Sequence, residues 1–318
     1  MTDLETHRSR PTVSLEAALV ARMYYIDDKQ KNEIAEELRL SRFKVARLLD
    51  DARSSGIVRI YVDMPAEINL PMGEKLARAF GIQRAIVVRS FDAAPDAAGA
   101  LIGAAAAEYL LSILNSRELL GTSWGATLTA VVDAITSIAT VDVVQLVGGA
   151  SAGHIVNGGV ELVRRLSEKT GGRAYPLHAP LLVRTQGMAE ELRSEPSLAD
   201  AIGRFGRLDA ALVGVGSWGP PKSSLYNEFT PEEREDLVGH GAVADMCSLV
   251  FNADGRAIDA PALRRSIGVT EAELRRVPEV IAVAGGMQKV SAISAVLRSG
   301  ILNTIITDST VATHLLEQ

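Results

Sequence analysis

The amino-acid sequence predicts an α/β protein with two domains, an N-terminal winged helix-turn-helix and a larger domain built on a Rossmann-like parallel sheet. Residues 30–62 follow the helix, turn, helix, glycine and strand pattern of the first domain. Residues 85–308 repeat a short apolar run, a glycine-containing turn and an amphipathic helix, as doubly covered parallel sheets do. A chain of 318 residues suits two such domains, and we place the boundary between residues 64 and 65, giving 1–64 and 65–318.

The segment QKNEIAEELRLSRFKVARLLDDARSSGIVRIYV carries the helix-turn-helix pattern. Ile34, Ala35 and Leu38 line one face of a first helix, and Leu40 closes a short turn. Ser41 stands where a helix N-cap hydroxyl is expected. The second helix has its own apolar stripe, formed by Val45, Leu48 and Leu49. A pair of amphipathic helices in a bundle would show the same two stripes, so this part of the pattern alone leaves both readings open.

The residues that follow favour the winged helix-turn-helix. Gly56 is placed to end the second helix as a C′ glycine, and IVRIYVDM then alternates apolar and polar residues as a wing strand does. One position departs from the usual pattern, because the turn carries Arg39 where glycine is common. A left-handed Arg39 would cost about 1 kcal/mol, although a turn without positive φ is also possible.

Charge is distributed in a way that suits DNA binding. The chain has a net charge of −6, but residues 1–64 hold 11 basic and 11 acidic residues, so the excess of acid lies in residues 65–318. Between Arg39 and Leu49 there are four basic residues and no acidic one. Such a helix is suited to a groove lined by phosphates. The expected DNA-contacting residues are Ser41, Arg42, Phe43, Lys44, Arg47 and Arg59.

Each domain is predicted to begin with a further helix. Residues 14–25 form a first helix that supports the motif, with Leu15, Ala18, Leu19 and Met23 facing inward. Residues 65–71 form a short linker, and residues 72–80 form a helix that Gly81 ends.

Apolar residues make up 47% of the chain and aromatic residues only 4%, so Val, Ala, Leu and Ile fill the core, as is typical of buried parallel strands. The predicted strands are AIVV (85–88), the LLG before Thr122, VDVVQLVGG (141–149), LDAALVGVG (208–216), PEVIAVAGG (278–286) and NTIITD (303–308).

Four of these strands end in turns that combine glycine with a hydroxyl or an amine. The turns are GTSWGATL (121–128), GGAS (148–151), GVGSW (214–218) and GGMQK (285–289). A glycine after a strand is more often only a tight turn, but ligands of open parallel sheets bind beyond the carboxyl ends of the strands. Backbone amides, hydroxyls and a helix N-terminus at one edge favour a small, oxygen-rich anion such as a sugar phosphate.

Two charged residues are candidates for the same site. Lys289 follows two glycines and can place an ammonium against an anionic group. Asp245, in HGAVADMC, can bind sugar hydroxyls or act as a general base, and an ordinary loop aspartate that caps backbone amides is equally compatible with the sequence.

Several functional classes are disfavoured. The single cysteine, Cys247, leaves no disulfide framework and no multi-cysteine zinc site, and the five histidines lack metal-ligand spacing. Neither GxGxxG nor GxxxxGK[ST] is in place, so we expect no nucleotide cofactor and no other cofactor. No apolar segment is long enough to span a bilayer and the N-terminus has no apolar signal core, so we expect a cytoplasmic protein without a membrane partner.

Residues 15–316 resemble the SorC-type family of sugar-binding transcriptional regulators of bacteria. The resemblance rests on the helix-turn-helix segment together with GTSWGATL, VVQLVGGAS, YPLHAPLLV, GVGSW, GAVADMCSLVFNADGR and VIAVAGGMQKVSAISAVLRSGILNTIITD. It implies an effector domain with the fold of sugar-phosphate isomerases and glucosamine-phosphate deaminases, a phosphorylated sugar or polyol as effector, and a homotetramer built as a dimer of dimers. Arg39, in place of the usual turn glycine, departs from the family pattern.

Carried over to this sequence, the resemblance implies an effector site in five turns. The phosphate-binding turn would be Thr122, Ser123, Trp124, Gly125 and Thr127. The sugar-contacting turns would be Gly148, Gly149 and Ser151, then Gly214, Gly216 and Ser217. Asp245 and Lys289 would complete the pocket, with Gly285 and Gly286 in the turn that leads to Lys289.

Two functions from different classes are compatible with these observations. The first is a transcriptional regulator of a carbohydrate or polyol operon whose binding to operator DNA responds to a phosphorylated sugar or polyol, with no catalytic residues. The second is an isomerase or deaminase acting on sugar phosphates, with the N-terminal motif as an oligomerisation module. Asp245 is the only plausible acid or base in the turns, which disfavours the enzyme.

Overall fold

The structure is a computed structural model that describes residues 15–58, 68–90, 95–136, 138–150, 158–219 and 223–318. The chain divides into two compact units, Met1–Asp63 and Met64–Gln318. Arg59, Ser151 and most of the expected wing strand lie outside the described residues.

In its described residues, 15–58, the first unit contains three helices, α1 (Leu15–Tyr25), α2 (Lys31–Glu37) and α3 (Arg42–Ser54). Val20, Ile34, Val45 and Leu49 form the centre of a small apolar core that all three helices share. The predicted stripes of α2 and α3 are confirmed by this burial. The core explains why such short helices are stable, because packing of an apolar face contributes more than helix propensity.

The inward face predicted for α1 is largely wrong. Leu15 is 84% exposed and Leu19 is 46% exposed, and of the predicted set only Met23 is buried. The helix instead buries Ala17, Val20, Ala21 and Met23. Because LEAALVARM has apolar side chains on most sides, its periodicity does not select one face, and packing against α3 decides it.

The turn between α2 and α3 contains a left-handed arginine. Arg39 has φ of 53°, its N–H donates to the Glu36 carbonyl at 3.2 Å, and the Leu40 N–H donates to the Ala35 carbonyl at 2.8 Å. This pair of hydrogen bonds is the Schellman motif, which favours glycine at the position of Arg39. Of the two turns compatible with the sequence, the chain therefore adopts the strained one, with Arg39 in the left-handed region.

Both ends of α3 match the prediction. The Ser41 hydroxyl accepts a hydrogen bond from the Lys44 N–H at 3.1 Å, so Ser41 is the N-cap. Gly56, with φ of 78°, follows the C-cap residue Ser55 as a C′ glycine.

Seven strands of the second unit, in the described part of the chain, are β1 (Arg84–Val88), β2 (Leu119–Thr122), β3 (Asp142–Gln145), β4 (Ala174–Tyr175), β5 (Ala210–Gly214), β9 (Glu279–Val283) and β10 (Thr304–Asp308). They form a parallel sheet in the order β1-β10-β9-β5-β2-β3-β4. A smaller antiparallel sheet has the order β6-β7-β8, with β6 (Gly216–Ser217), β7 (Ala242–Met246) and β8 (Leu249–Asn252).

Ten helices of this unit connect the strands in the described part of the chain. They are α4 (Leu70–Phe80), α5 (Pro95–Ile113), α6 (Ala126–Ala134), α7 (Gly159–Thr170), α8 (Gln186–Ser194), α9 (Pro196–Ile202), α10 (Pro231–Gly239), α11 (Glu271–Leu274), α12 (Val290–Arg298) and α13 (Ser309–Leu316). None of the described helices is long and apolar enough to cross a membrane.

The predicted linker is too long, because α4 begins at Leu70 rather than at residue 72. Asn69 caps the helix by accepting a hydrogen bond from the Met72 N–H at 3.2 Å, and Pro71 occupies the first turn, where its missing N–H costs nothing. The predicted end is correct, since Gly81 is a left-handed C-cap with φ of 67°.

The parallel sheet is covered on both faces, as predicted. Along β5, Ala211 and Val213 belong to one apolar core, whereas Ala210 and Leu212 belong to a second core on the opposite face. The six strands predicted from apolar runs are all present. The prediction missed the two-residue β4 and the antiparallel sheet. In that sheet β6 has only two residues, and β7 buries Ala242, Ala244 and Met246 while Val243 faces the other way, so its apolar residues do not show which face is buried.

Candidate functional site

A cavity of about 270 Å³ lies at the carboxyl ends of β2, β5 and β9, which are neighbours near the centre of the sheet. Its lining consists of Ser123, Trp124, Gly125, Ala126, Thr127, Leu128, Val147, Leu181, Gly214, Val215, Gly216, Ser224, Leu225, Asp245, Cys247, Ser248 and Lys289. Three of the four predicted turns contribute to this wall. Its position is the one at which parallel α/β sheets commonly bind ligands.

The N-terminus of α6 opens on the cavity. Gly125 precedes the helix with φ of 142°, a conformation that other residues rarely adopt, and no side chain caps the helix. Ala126, Thr127 and Leu128, which form the first turn, all line the cavity. The unpaired amides and the helix dipole make this end suitable for an anion.

Two hydrogen bonds hold the turn after β2 against its neighbours. The Ser123 hydroxyl accepts from the Gly214 N–H at 3.2 Å, which connects the ends of β2 and β5. The Trp124 indole N–H donates to the Gly148 carbonyl at 3.2 Å, which connects the same turn to the segment after β3. Thr122 is fully buried and lies outside the cavity lining, where its hydroxyl donates to the Ser123 carbonyl at 3.1 Å.

Asp245 reaches the cavity from β7, where it pairs with Gly216 of β6. Its Oδ1 atom accepts a hydrogen bond from the Ser223 hydroxyl at 2.6 Å. Protein surrounds the carboxyl group apart from the face that meets the cavity, and this burial raises the pKa of Asp245 to about 6, against the opposing effects of Ser223 and the Lys289 charge. The group is therefore poised to change protonation state near neutral pH.

Lys289 reaches the cavity from the turn after β9, at the end of the short 3₁₀ segment Met287–Lys289. Its ammonium donates to the Val215 carbonyl at 2.8 Å, which fixes the charge beside the end of β5. The cavity thus contains one carboxyl group and one ammonium group among the described residues that line it.

Several predicted glycines lie outside the cavity wall and shape the surrounding turns. A Cβ on Gly148 would be 2.4 Å from the Pro180 carbonyl oxygen, and a Cβ on Gly285 would be 2.5 Å from Asp308 Oδ2. The Gly286 N–H donates to the same Asp308 carboxylate at 2.7 Å. The missing side chain lets the Pro180 backbone approach closely at Gly148, and it leaves room for the Asp308 carboxylate at Gly285. The predicted residues outside the lining are Thr122, Gly148, Gly149, Ser217, Gly285 and Gly286.

Sequence reasoning missed a hairpin turn that forms part of the wall. Cys247 and Ser248 connect β7 to β8, and both line the cavity. Burial raises the pKa of the Cys247 thiol to about 12, so this residue is a neutral thiol at neutral pH. Neither residue lies near a glycine-containing strand end, and only the pairing of β7 with β6 brings the hairpin to the sheet edge.

The candidate DNA-contacting residues lie at the start of α3. Arg42, Phe43 and Arg47 are exposed, and Phe43 is 88% exposed, the highest value among the large apolar side chains of the described residues. Lys44 differs from them, because its ammonium lies 3.5 Å from the Glu16 carboxylate of α1. A phosphate would have to compete with Glu16 for this side chain.

Comparison with known proteins assigns the chain to a family. Residues 65–317 match the family described as "Putative sugar-binding domain". The transcriptional regulator LsrR of Klebsiella pneumoniae subsp. pneumoniae is 31% identical over 322 residues, which cover 98% of this chain and 97% of that protein. The deoxyribonucleoside regulator of Bacillus subtilis is 31% identical over 314 residues, with 97% and 98% of the two chains covered.

Solved structures agree with the fold. The full-length sorbitol operon regulator SorC of Klebsiella pneumoniae has a TM-score of 0.74 at 24% identity, with 94% of this chain and 97% of that chain covered. A transcriptional regulator of Streptococcus pneumoniae has a TM-score of 0.73 at 25% identity, with 78% and 96% covered. The domain match and the full-length relatives together show that the chain belongs to the SorC-type family of bacterial sugar-binding transcriptional regulators.

Proposed function

We propose that the protein is a DNA-binding transcriptional regulator of a carbohydrate or polyol operon, and that a phosphorylated sugar or polyol controls its binding to the operator. The observation that carries this proposal is the presence, in one chain, of an exposed basic helix α3 and a polar cavity at the carboxyl edge of a parallel sheet. The full-length relatives named as transcriptional regulators support the same function. Such a regulator acts on bacterial DNA, so we place it in the cytoplasm.

Helix α3 is the element that would enter the major groove. In helix-turn-helix proteins the N-terminal residues of the second helix contact base edges, and here these are Arg42 and Phe43. Arg47, one turn further along, is exposed and suits a phosphate or a guanine. Ser41 would present its hydroxyl at the helix start. Arg59, which lies outside the described residues, remains a candidate for DNA contact from the sequence alone.

The cavity would hold the effector with its phosphate over the N-terminus of α6 and its hydroxyls toward Asp245. Free amides of the first turn of α6 and the Lys289 ammonium supply positive potential, as a phosphate requires. The Asp245 carboxyl and the Ser123 and Ser224 hydroxyls can bind sugar oxygens. A volume of about 270 Å³ suits a pentose or hexose phosphate rather than a dinucleotide.

We propose that the protein works as a homotetramer, a dimer of dimers, in which several copies of α3 bind DNA at fixed spacing. Residues 1–64 are neutral overall, so one copy would bind weakly and several linked copies strongly. An effector switches such an assembly only by binding one arrangement better than the other. A 100-fold preference supplies about 2.7 kcal/mol.

An enzyme acting on sugar phosphates is the second candidate, because a carboxyl group with a pKa of about 6 suits a general base. However, Asp245 is the single carboxyl group among the described residues of the lining, and acid–base chemistry on sugars generally uses two positioned groups. Incubation with pentose, hexose and polyol phosphates separates the candidates, since steady product formation at ordinary enzyme rates would contradict a purely regulatory role.

The test of the regulator is a mobility-shift titration on operator DNA, selected from random or genomic fragments, with and without each sugar phosphate. The Lys289→Ala variant is expected to bind the operator as the wild type does and to need at least tenfold more effector for the same response, because it lacks the ammonium. Lys169→Ala is the control, because it removes an ammonium that contacts the Ile135 carbonyl and neither residue lines the cavity. A wild-type effector response in Lys289→Ala would contradict the proposed site.

A further inference from the structure

The hairpin turn between β7 and β8 has an unusual backbone. Met246 pairs with Leu249, so Cys247 and Ser248 are the two central residues of a two-residue loop. Their φ angles are 52° and 65°. Positive φ at both positions defines the turn type that favours Asn-Gly, because glycine is unstrained there and asparagine tolerates it, whereas most other side chains are strained. The chain nevertheless carries two residues with side chains.

The location of this turn separates it from ordinary surface hairpins. Cys247 is 6% exposed and Ser248 is 8% exposed, and both line the cavity. A glycine at Ser248 would relieve the strain without a steric obstacle, yet it would remove the hydroxyl from the cavity wall. Strain that persists beside a binding site indicates that the strained side chains serve that site.

The Ser248 hydroxyl is available to a ligand. It forms no hydrogen bond with any of the described residues, whereas the other strongly buried hydroxyl of the lining, that of Ser123, accepts from the Gly214 N–H. A Cβ on Gly268 would lie 3.3 Å from the Ser248 oxygen, so the absence of a side chain at Gly268 leaves room around the hydroxyl. Only Trp218 Nε1 and Thr307 Oγ1 are fully buried and unpartnered among the described side-chain atoms, so the Ser248 oxygen is open to the cavity, where a ligand can bond to it.

We infer that the strained Cys247–Ser248 turn is an effector-specificity element, in which the Ser248 hydroxyl hydrogen-bonds one hydroxyl of the bound sugar or polyol phosphate. The Cys247 thiol lines the cavity beside it, where burial keeps the thiol neutral and the Ser123 side chain is its hydrogen-bond neighbour. This inference rests on the proposed effector site and adds the group that distinguishes among ligands of the class. A site that hydrogen-bonds a ligand hydroxyl rejects analogues that lack it.

The experiment uses isothermal titration of the full chain with ribose 5-phosphate, 2-deoxyribose 5-phosphate, fructose 6-phosphate, glucitol 6-phosphate and inorganic phosphate. Ser248→Ala removes the hydroxyl and keeps the strain, while Ser248→Gly removes both. We expect both variants to bind the tightest wild-type probe at least tenfold more weakly, with inorganic phosphate unaffected. We also expect Ser248→Gly to melt about 2 °C or more above Ser248→Ala, because only glycine relieves the strain.

Arg117→Gly is the matched control, since Arg117 is an exposed residue with φ of 78° outside the cavity lining. It is expected to raise Tm and leave probe binding at the wild-type level. Binding by Ser248→Ala within twofold of the wild type would overturn the inference, and so would a loss confined to Ser248→Gly. Failure of the wild type to bind any sugar or polyol phosphate would instead overturn the proposed effector class, and the inference with it.

Discussion

Gly216 and Asp245 face each other across the β6–β7 pair, and a Cβ on Gly216 would lie 2.3 Å from the Asp245 Oδ1 atom. Only a residue without a side chain allows the carboxyl group to occupy this position, where Ser223 also holds it. Gly216 therefore contributes to the site in two ways, because it lines the cavity and also leaves room for the Asp245 carboxyl group.

Gly216→Ala is expected to displace the Asp245 carboxyl group and weaken effector binding at least tenfold, while operator binding without effector changes little. Isothermal titration and mobility shift measure the two properties. Gly187→Ala, on α8, is the control, because a Cβ there meets nothing within 4 Å. Equal effector affinities for Gly216→Ala and the wild type would show that the position of this carboxyl group does not govern binding.

Replacement of Asp245 by Asn is expected to change the pH dependence of stability. Burial raises the pKa of Asp245 in the folded state to about 6 from an ordinary value of 3.8. Relative to Asp245→Asn, the wild type is therefore most stable below pH 3.8, and it loses this extra stability as the pH rises through about 6. Denaturant unfolding at pH 5 and pH 7.5 measures the difference between the two proteins.

The wild type should gain about 1 kcal/mol relative to Asp245→Asn between pH 7.5 and pH 5. Ser223 and Lys289, the neighbours that oppose the shift, are unchanged in the variant. A stability difference that is independent of pH would show that Asp245 keeps an ordinary pKa in the folded protein.

Arg42→Ala and Arg47→Ala are each expected to weaken operator binding about tenfold. If the lost side chain contacts a phosphate, the slope of log affinity against log salt concentration should also fall by about 1. Lys44→Ala should have a smaller effect, because the Glu16 carboxylate already engages its ammonium. Lys75→Ala, at an exposed position on α4, controls for the loss of one charge. A larger effect from Lys44 than from Arg42 would contradict this assignment.

Arg39→Gly is expected to make the first unit more stable than Arg39→Ala by about 1 kcal/mol, since glycine accepts the left-handed backbone and alanine does not. Comparison of the two variants removes the contribution of the exposed arginine side chain. Thermal unfolding of the two full-length variants, monitored in parallel by the helical circular dichroism signal, measures the difference. Equal melting of the two variants would argue that the turn relaxes to negative φ.

Local sequence patterns correctly predicted the kind and order of most elements. The Ser41 cap, the Gly56 end of α3 and the six apolar strands depend on neighbours close in sequence, so periodicity and cap residues are sufficient. The face of α1 was wrong, because its apolar residues surround the helix and the choice of face depends on the packing of α3. The antiparallel sheet was missed because β6 has only two residues and β7 buries small alanines while it leaves Val243 on the opposite face.

The sequence by itself therefore determined that this chain has a helix-turn-helix and a doubly covered parallel sheet, and that glycine turns follow its strands. Only the tertiary structure decided which of those turns meet. The order β9-β5-β2 brings Lys289, Gly214 and Ser123 to one cavity and leaves Gly148 and Gly285 in supporting turns. It also brings Ser248 there from a hairpin that sequence patterns did not single out. Strand order arises from packing between residues far apart in the chain, and no local periodicity records it.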